Sequence, residues 1–136
     1  MIERIYVAAT SQHVGKTTTT LGLVNALRKQ NINVGYCKPV GQQFLDLDNF
    51  QVDKDAFLFS GVMDFELVSE IHSPVILGKG ATSDYLDNPN KQNYPEKILK
   101  AKDVLEDNYE LVVYEGTGHP GVGSVCDLSN ADVADL

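Results

Sequence analysis

The chain has 136 residues, 43% of them hydrophobic and 22% charged, with a formal net charge of −8 at neutral pH. That length suits one domain with a single core, burying about two-thirds of its unfolded surface. The acidic balance argues against nucleic acid as a main partner, because phosphate backbones select basic faces, but a nucleotide needs only a local positive site.

The opening MIERIYVAAT lacks the basic segment and long apolar core of a secretory signal. No apolar run approaches the ~20 residues that cross a bilayer, so no membrane partner is expected. Cys37 and Cys126 stand isolated. They have no zinc spacing and make a poor disulfide framework, so a reducing cytoplasm is the expected setting.

IERIYVAA reads as a buried strand. From Lys16 the pattern turns helical. Leu21, Val24 and Leu27, with Leu23 and Ala26, form a wide apolar face through about Gln30. INVGYCKPV is a second strand, stopped by Pro39. Val52 to Phe59 suggests a short helix with Asp53 and Asp55 in its first turn, and DFELVSEI another. SPVILGKG is either a strand or an extended loop. SDYLDNPNKQNYPE is polar and turn-rich, as a surface loop is. Asn93 to Asp107 predicts a helix with Pro95 in its first turn and Ile98, Ala101 and Leu105 on one face. YELVVYEG is a clear strand, TGHPGVGS a glycine-rich loop, and DLSNADVADL begins a last helical segment.

Strands alternating with helices predict an α/β fold, a parallel sheet covered by helices on both faces. Ligands of such sheets bind beyond the carboxyl ends of the strands. TSQHVGKT, KPVGQQ and EGTGHPGVG each follow a predicted strand directly, so all three are expected on one edge.

The first of these carries the strongest chemistry. Gly15 permits a tight turn, Lys16 can set a compact charge on outer phosphates, and the Thr17 hydroxyl can ligate Mg²⁺. The amides of His13, Val14, Gly15, Lys16, Thr17 and Thr18 lie at or beside a helix N-terminus, where the dipole favours anions. Thr10 stands where the common G-x-x-x-x-G-K-[ST] pattern has its first glycine, so the loop is a variant. Glu115, at a strand end, is either a metal ligand or a solvated carboxylate. Asp53 and Asp55 are either acidic contacts to the metal or helix N-terminus aspartates. Lys38 follows the second strand. Gly116, Thr117 and Gly118 open a loop whose amides and hydroxyl can cradle an anion. His119 is a substrate contact or a surface histidine.

YVAATSQHVGKTTTTLGLVNALRKQNINVGYCKPVGQ resembles the N-terminal part of the dethiobiotin synthetase family, which groups with the cobyrinic acid a,c-diamide synthases and the nucleotide-binding N-terminal domain of some phosphotransacetylases. Their loop is one residue longer, G-T-D-x-x-V-G-K-T. Ala9 here takes the place of its first glycine and Ser11 that of its acidic residue. CKPVGQ resembles the family's K-P-V segment and VVYEGTG its E-G-[AT]-G segment. The resemblance implies a P-loop NTPase-like fold that binds ATP and Mg²⁺, with Thr17, Asp55 and Glu115 toward the metal. It implies Lys16 and Lys38 as catalytic lysines, Lys38 against a carbamate and the transferred phosphate, and Gly116, Thr117 and Gly118 toward a small carboxylate-bearing substrate.

The implied activity is that of an ATP-dependent carbon–nitrogen ligase. The alternative is a nucleotide-sensing regulatory domain without turnover. A partitioning or metal-delivery ATPase carries a second lysine early in its loop, and none occurs between Met1 and Lys16. Residues 1–136 are expected to be a single domain lacking the family's C-terminal part, where the adenine is recognised. The resembling proteins often dimerise, so a homodimer is a further expectation.

Overall fold

A computed structural model describes residues 3–8, 15–47, 50–77, 87, 93–117 and 129–136. Three short strands make the main sheet: β1 (Glu3–Val7), β2 (Val34–Cys37) and β7 (Leu111–Glu115), in the order β1-β7-β2 and all parallel; β1, expected to be buried, is an edge strand whose residues are exposed or half-buried. Glu3 pairs with Leu111 and Val7 with Glu115, while Val34 pairs with Leu111 and Cys37 with Tyr114. The three carboxyl ends therefore lie level. Every residue of β2 and of β7 is buried. Continuous burial without alternation is what a strand covered on both faces requires.

The covering helices divide by residue parity. Val34, Tyr36, Leu111 and Val113 pack with Val24 of α1 (Lys16–Lys29) and with Ala56, Phe59 and Met63 of α2 (Lys54–Met63). Cys37, Val112 and Tyr114 face the other way and pack with Leu105 of α4 (Tyr94–Asn108). Ile98, Ala101 and Leu105 form the buried stripe of α4, as their spacing predicts. Helices thus cover both faces. Among the described residues no helix is long and apolar enough to cross a membrane.

Helix α1 starts abruptly after Gly15, whose φ of 83° a side chain would resist. It stops at a Schellman turn: the Ile32 N–H donates to the Leu27 carbonyl at 3.3 Å and the Asn31 N–H to Arg28 at 3.0 Å. Arg28 and Lys29 in its last turn oppose the negative end of the dipole.

Beyond β2 the chain enters two small accessory sheets. β3 (Val40–Gly41) pairs in parallel with β6 (Val75–Ile76), and β4 (Phe44–Leu47) pairs antiparallel with β5 (Phe50–Asp53). The hairpin is a departure from expectation, since Val52 and Asp53 belong to a strand and the helix begins only at Lys54. FLDL lacks clean alternation and is mostly half-buried, so it carries no strong period-2 signal. A single turn, α3 (Ser69–His72), and the short α5 (Asn130–Asp135) complete the described elements.

Phe57 and Phe59 lie two residues apart on α2 yet differ in environment. Phe59 is fully buried and stacks on Tyr36 at 3.9 Å between ring centroids, whereas Phe57 is 46% exposed. Phe59→Ala is expected to cost about 3–5 kcal/mol in urea unfolding. Phe57→Ala is expected to cost under about 1 kcal/mol. Equal costs would contradict this packing.

Candidate active site at the carboxyl edge of the sheet

The first helical hydrogen bond of α1 runs from the Thr19 N–H to the Gly15 carbonyl at 3.0 Å. The amides of Lys16, Thr17 and Thr18 precede it and have no intrahelical acceptor, leaving donors at the positive end of a dipole. No acidic residue occupies this first turn to compete for them. Thr17 is half-buried and Thr18 exposed. His13, Val14 and Gly118 lie outside the described residues, as does His119.

The half-buried Lys16 reaches across to the end of β7, where its Nζ donates to the Gly116 carbonyl. Burial lowers its pKa. Glu115 opposes that shift, Lys38 adds to it, and Asp55 and Asp53 oppose it.

Lys38 leaves β2 with its N–H donating to the His72 carbonyl at 2.9 Å and its side chain almost fully enclosed. Its ammonium meets three carboxylates: Asp55 Oδ2 at 2.5 Å, Asp53 Oδ2 at 3.6 Å and Glu115 Oε1 at 4.0 Å. Burial alone would favour the neutral amine, but Asp53, Asp55 and Glu115 outweigh it and raise the pKa. The lysine stays charged.

Asp53 and Asp55 have different surroundings. Asp53 caps α2, its Oδ1 accepting from the Asp55 N–H at 2.8 Å and the Ala56 N–H at 3.3 Å. Its own N–H donates to Ser73 Oγ at 3.3 Å. Burial raises its pKa against the pull of Lys38. Asp55, in the first turn of the helix, hydrogen-bonds Lys38, and the hydrogen bond and charge of that lysine overcome burial to lower its pKa. Gly41 is needed here, because a Cβ on it would stand 2.2 Å from Asp53 Oδ2.

Glu115 is fully buried at the end of β7. Burial, then the hydrogen bond and charge of Asp55, push its pKa up to about 7 against Lys16 and Lys38. The Tyr36 hydroxyl donates to its Oε1 at 3.5 Å. Glu115 Oε2 and Asp53 Oδ2 are buried without a hydrogen-bond partner among the described residues. Gly116 follows, and Thr117 is buried with its N–H and hydroxyl both donating to Asn130 Oδ1.

Lys16, Lys38, Asp55, Glu115, Gly116 and Thr117 therefore come together at one end of the sheet. Tyr36, His72, Ser73 and Asn130 join them and are not apparent from motifs. Tyr36 carried a signal, since two residues before Lys38 on a strand is the same face. Asn130 sits inside Ser129-x-x-Asp132, a legible capping box.

Among the described residues no group of three His, Cys, Asp or Glu side chains is arranged to hold a metal by itself. Mg²⁺ asks for less, commonly one or two carboxylates with substrate phosphates and water completing its shell. The hard oxygens of Asp55, Glu115 and Thr17 suit it, and the unpartnered Glu115 Oε2 is a donor position already desolvated.

The raised pKa of Glu115 makes a pH test. Between its unfolded value near 4.5 and its folded value of about 7, the folded state binds more protons, so stability contributed by this group falls as pH rises. Glu115→Gln is expected to match the wild type below the unfolded value of 4.5 and to exceed it in thermal unfolding above the folded value of about 7, without Mg²⁺. A variant less stable than wild type at pH 8 would show that the ionised form is not the costly one.

A family model described as an AAA domain matches residues 3–136. The ATP-dependent dethiobiotin synthetase BioD of Clostridium kluyveri is 30% identical over 129 residues, 94% of this chain and 52% of that protein. The BioD of Methanocaldococcus jannaschii is 29% identical over 119 residues, 84% of this chain and 52% of its own. BioD 2 of Salmonella typhimurium is 29% identical over 118 residues, 87% and 50% respectively. The chain spans about half the length of the curated relatives it matches. A family match over residues 3–136, joined to a parallel α/β sheet with its glycine–lysine–threonine turn at the carboxyl edge, places the chain in this AAA-domain family, within the dethiobiotin synthetase superfamily of P-loop proteins.

Proposed function

We propose that residues 1–136 act as one nucleotide-binding domain that takes ATP with Mg²⁺ and activates a carboxylate or carbamate by phosphorylation, the chemistry of an ATP-dependent carbon–nitrogen ligase. The observation that carries this reading is the meeting of two lysines from different elements, Lys16 at the start of α1 and Lys38 just after β2, beside the carboxylates Asp55 and Glu115. Phosphoryl transfer to an anion brings negative groups together, and preorganised cations are what lower that barrier.

In this reading the amides of Gly15 to Thr18 hold the phosphates and the Lys16 ammonium offsets charge on the γ-phosphoryl group. Lys38 lies between nucleophile and phosphate. A substrate oxygen attacks the γ-phosphorus, the bond to the ADP oxygen breaks, and ADP leaves with that electron pair. A nitrogen nucleophile then attacks the carbonyl carbon of the mixed anhydride and expels phosphate. Thr17, Asp55 and Glu115 would hold Mg²⁺, which when bound neutralises phosphate charge. Lys38 has three donors, so it can keep Asp55 while meeting a substrate anion. Gly116, Thr117 and Gly118 are assigned here to the small carboxylate-bearing substrate. The setting proposed is cytoplasmic, and a second copy of the chain is the macromolecular partner considered.

The test is calorimetry of Mg·ATP binding followed by an assay of dethiobiotin formation from diaminopelargonate. Lys16→Ala is expected to weaken Mg·ATP binding about 10- to 100-fold, the loss of one or two charge-assisted contacts. Lys38→Met is expected to leave that affinity within about threefold while lowering turnover by roughly 10²–10³. Binding without dethiobiotin formation favours the nucleotide-sensing alternative. Absence of binding by the wild type removes both.

A further inference from the structure

We infer that Asn130 is a positioning residue for Lys16, acting through the single peptide unit that joins Gly116 to Thr117. The inference rests on the reading that Lys16 meets the phosphates, and it concerns a residue remote from every phosphate-binding motif.

Asn130 is buried at the start of α5. Two devices fix its place. The capping box sets the helix start: Ser129 Oγ accepts from the Asp132 N–H at 3.2 Å, and Asp132 Oδ2 accepts from the Ser129 N–H at 2.9 Å. Val133, one turn on, packs with Val40, Val75, Tyr94 and Ile98. Anchored in that second core, α5 presents the Asn130 side chain to the end of β7.

The amide of Asn130 treats Thr117 as a neighbouring strand would. Its Oδ1 accepts from the Thr117 N–H at 3.0 Å, and its Nδ2 donates to the Thr117 carbonyl at 3.4 Å. Oδ1 also accepts from the Thr117 hydroxyl at 3.2 Å and from the Tyr6 hydroxyl at 3.1 Å. The Thr117 N–H and the Gly116 carbonyl belong to one planar trans peptide and point to opposite sides. Asn130 grips one side of that plane, and the Lys16 ammonium is hydrogen-bonded to the other. Rotating the plane moves the acceptor of Lys16. Polarisation across a hydrogen-bonded peptide also strengthens both bonds.

Two neighbours lock the plane further. The Gly116 N–H, in the peptide just before this plane, donates to the Val7 carbonyl at 2.7 Å and ties the near end of the plane to β1. A Cβ at Gly116 would stand 2.6 Å from Asn130 Oδ1, so the close approach requires glycine. The glycine after Glu115 is thus explained by the asparagine as well as by any ligand.

The experiment compares Asn130→Leu, with the same branched heavy-atom skeleton but without hydrogen bonds, with Asn130→Asp, which keeps the acceptor for Thr117 and Tyr6. The readout independent of nucleotide is the rate at which acetic anhydride labels Lys16, measured by peptide mass spectrometry beside the buried Lys38 and the exposed Lys100. Asn130→Leu is expected to raise Lys16 labelling about tenfold, the size of one charge-assisted hydrogen bond, with Lys38 and Lys100 unchanged. Asn130→Asp is expected to stay within about threefold of wild type by the same measure. In Mg·ATP calorimetry, Asn130→Leu is expected to weaken binding by a similar factor in the wild type and to add little in a Lys16→Ala background.

Unchanged Lys16 labelling in Asn130→Leu overturns the inference. So does a parallel rise at Lys38, which would mean general loosening, or an Asn130→Asp result equal to that of leucine. Should the leucine variant fail to fold, Asn130→Ser makes the same comparison. Should the wild type bind no Mg·ATP, the functional reading falls and the labelling still decides the role of Asn130.

Discussion

Three carboxylates cannot share a dry protein interior without cations, and the polar end of this structure is built around that constraint. Asp53, Asp55 and Glu115 all face the Lys38 ammonium within 4.0 Å, and Lys16 adds a second positive charge from across the sheet. Each group's protonation depends on the others: Lys38 is held charged, Asp55 is held ionised, and Glu115 is pushed toward neutrality. With all five ionised the cluster carries one excess negative charge. A buried cluster in that state favours a further cation over a further anion.

The architecture makes such a cluster possible by confining polar groups to one edge. The strands β2 and β7 are buried along their whole lengths, so their side chains are apolar until the carboxyl end, where Lys38 and Glu115 emerge. Level registers bring those ends together. The accessory elements then supply what the main sheet lacks. The hairpin delivers Asp53 to cap α2, the α3 turn offers the His72 carbonyl to the Lys38 backbone, and Ser73 accepts from Asp53. From the opposite side, α5 sends Asn130 to Thr117. The helix start at Lys16 is therefore one side of a cluster whose other sides come from segments with no nucleotide motif.

The sequence alone determined the parts that depend on local physics. Burial on both faces demands continuous apolar runs, so β2 and β7 were legible, as was the 98–101–105 stripe of α4. A left-handed turn at a helix start demands glycine, so the entry into α1 at Gly15 was legible. Because parallel strands all present the same end, the convergence of Lys16, Lys38 and Glu115 followed from their places in segments at or beyond the carboxyl ends of strands. Tertiary structure decided what depends on partners distant in the chain. Whether Asp53 or Asp55 holds Lys38 turns on where a hairpin of weak alternation places the start of α2. Asn130 serves Thr117 because α5 packs on a second core, and nothing local to either residue encodes that meeting. Local periodicity records which face is buried; it does not record which side chain lies across the gap, because that is set by packing the whole chain at once.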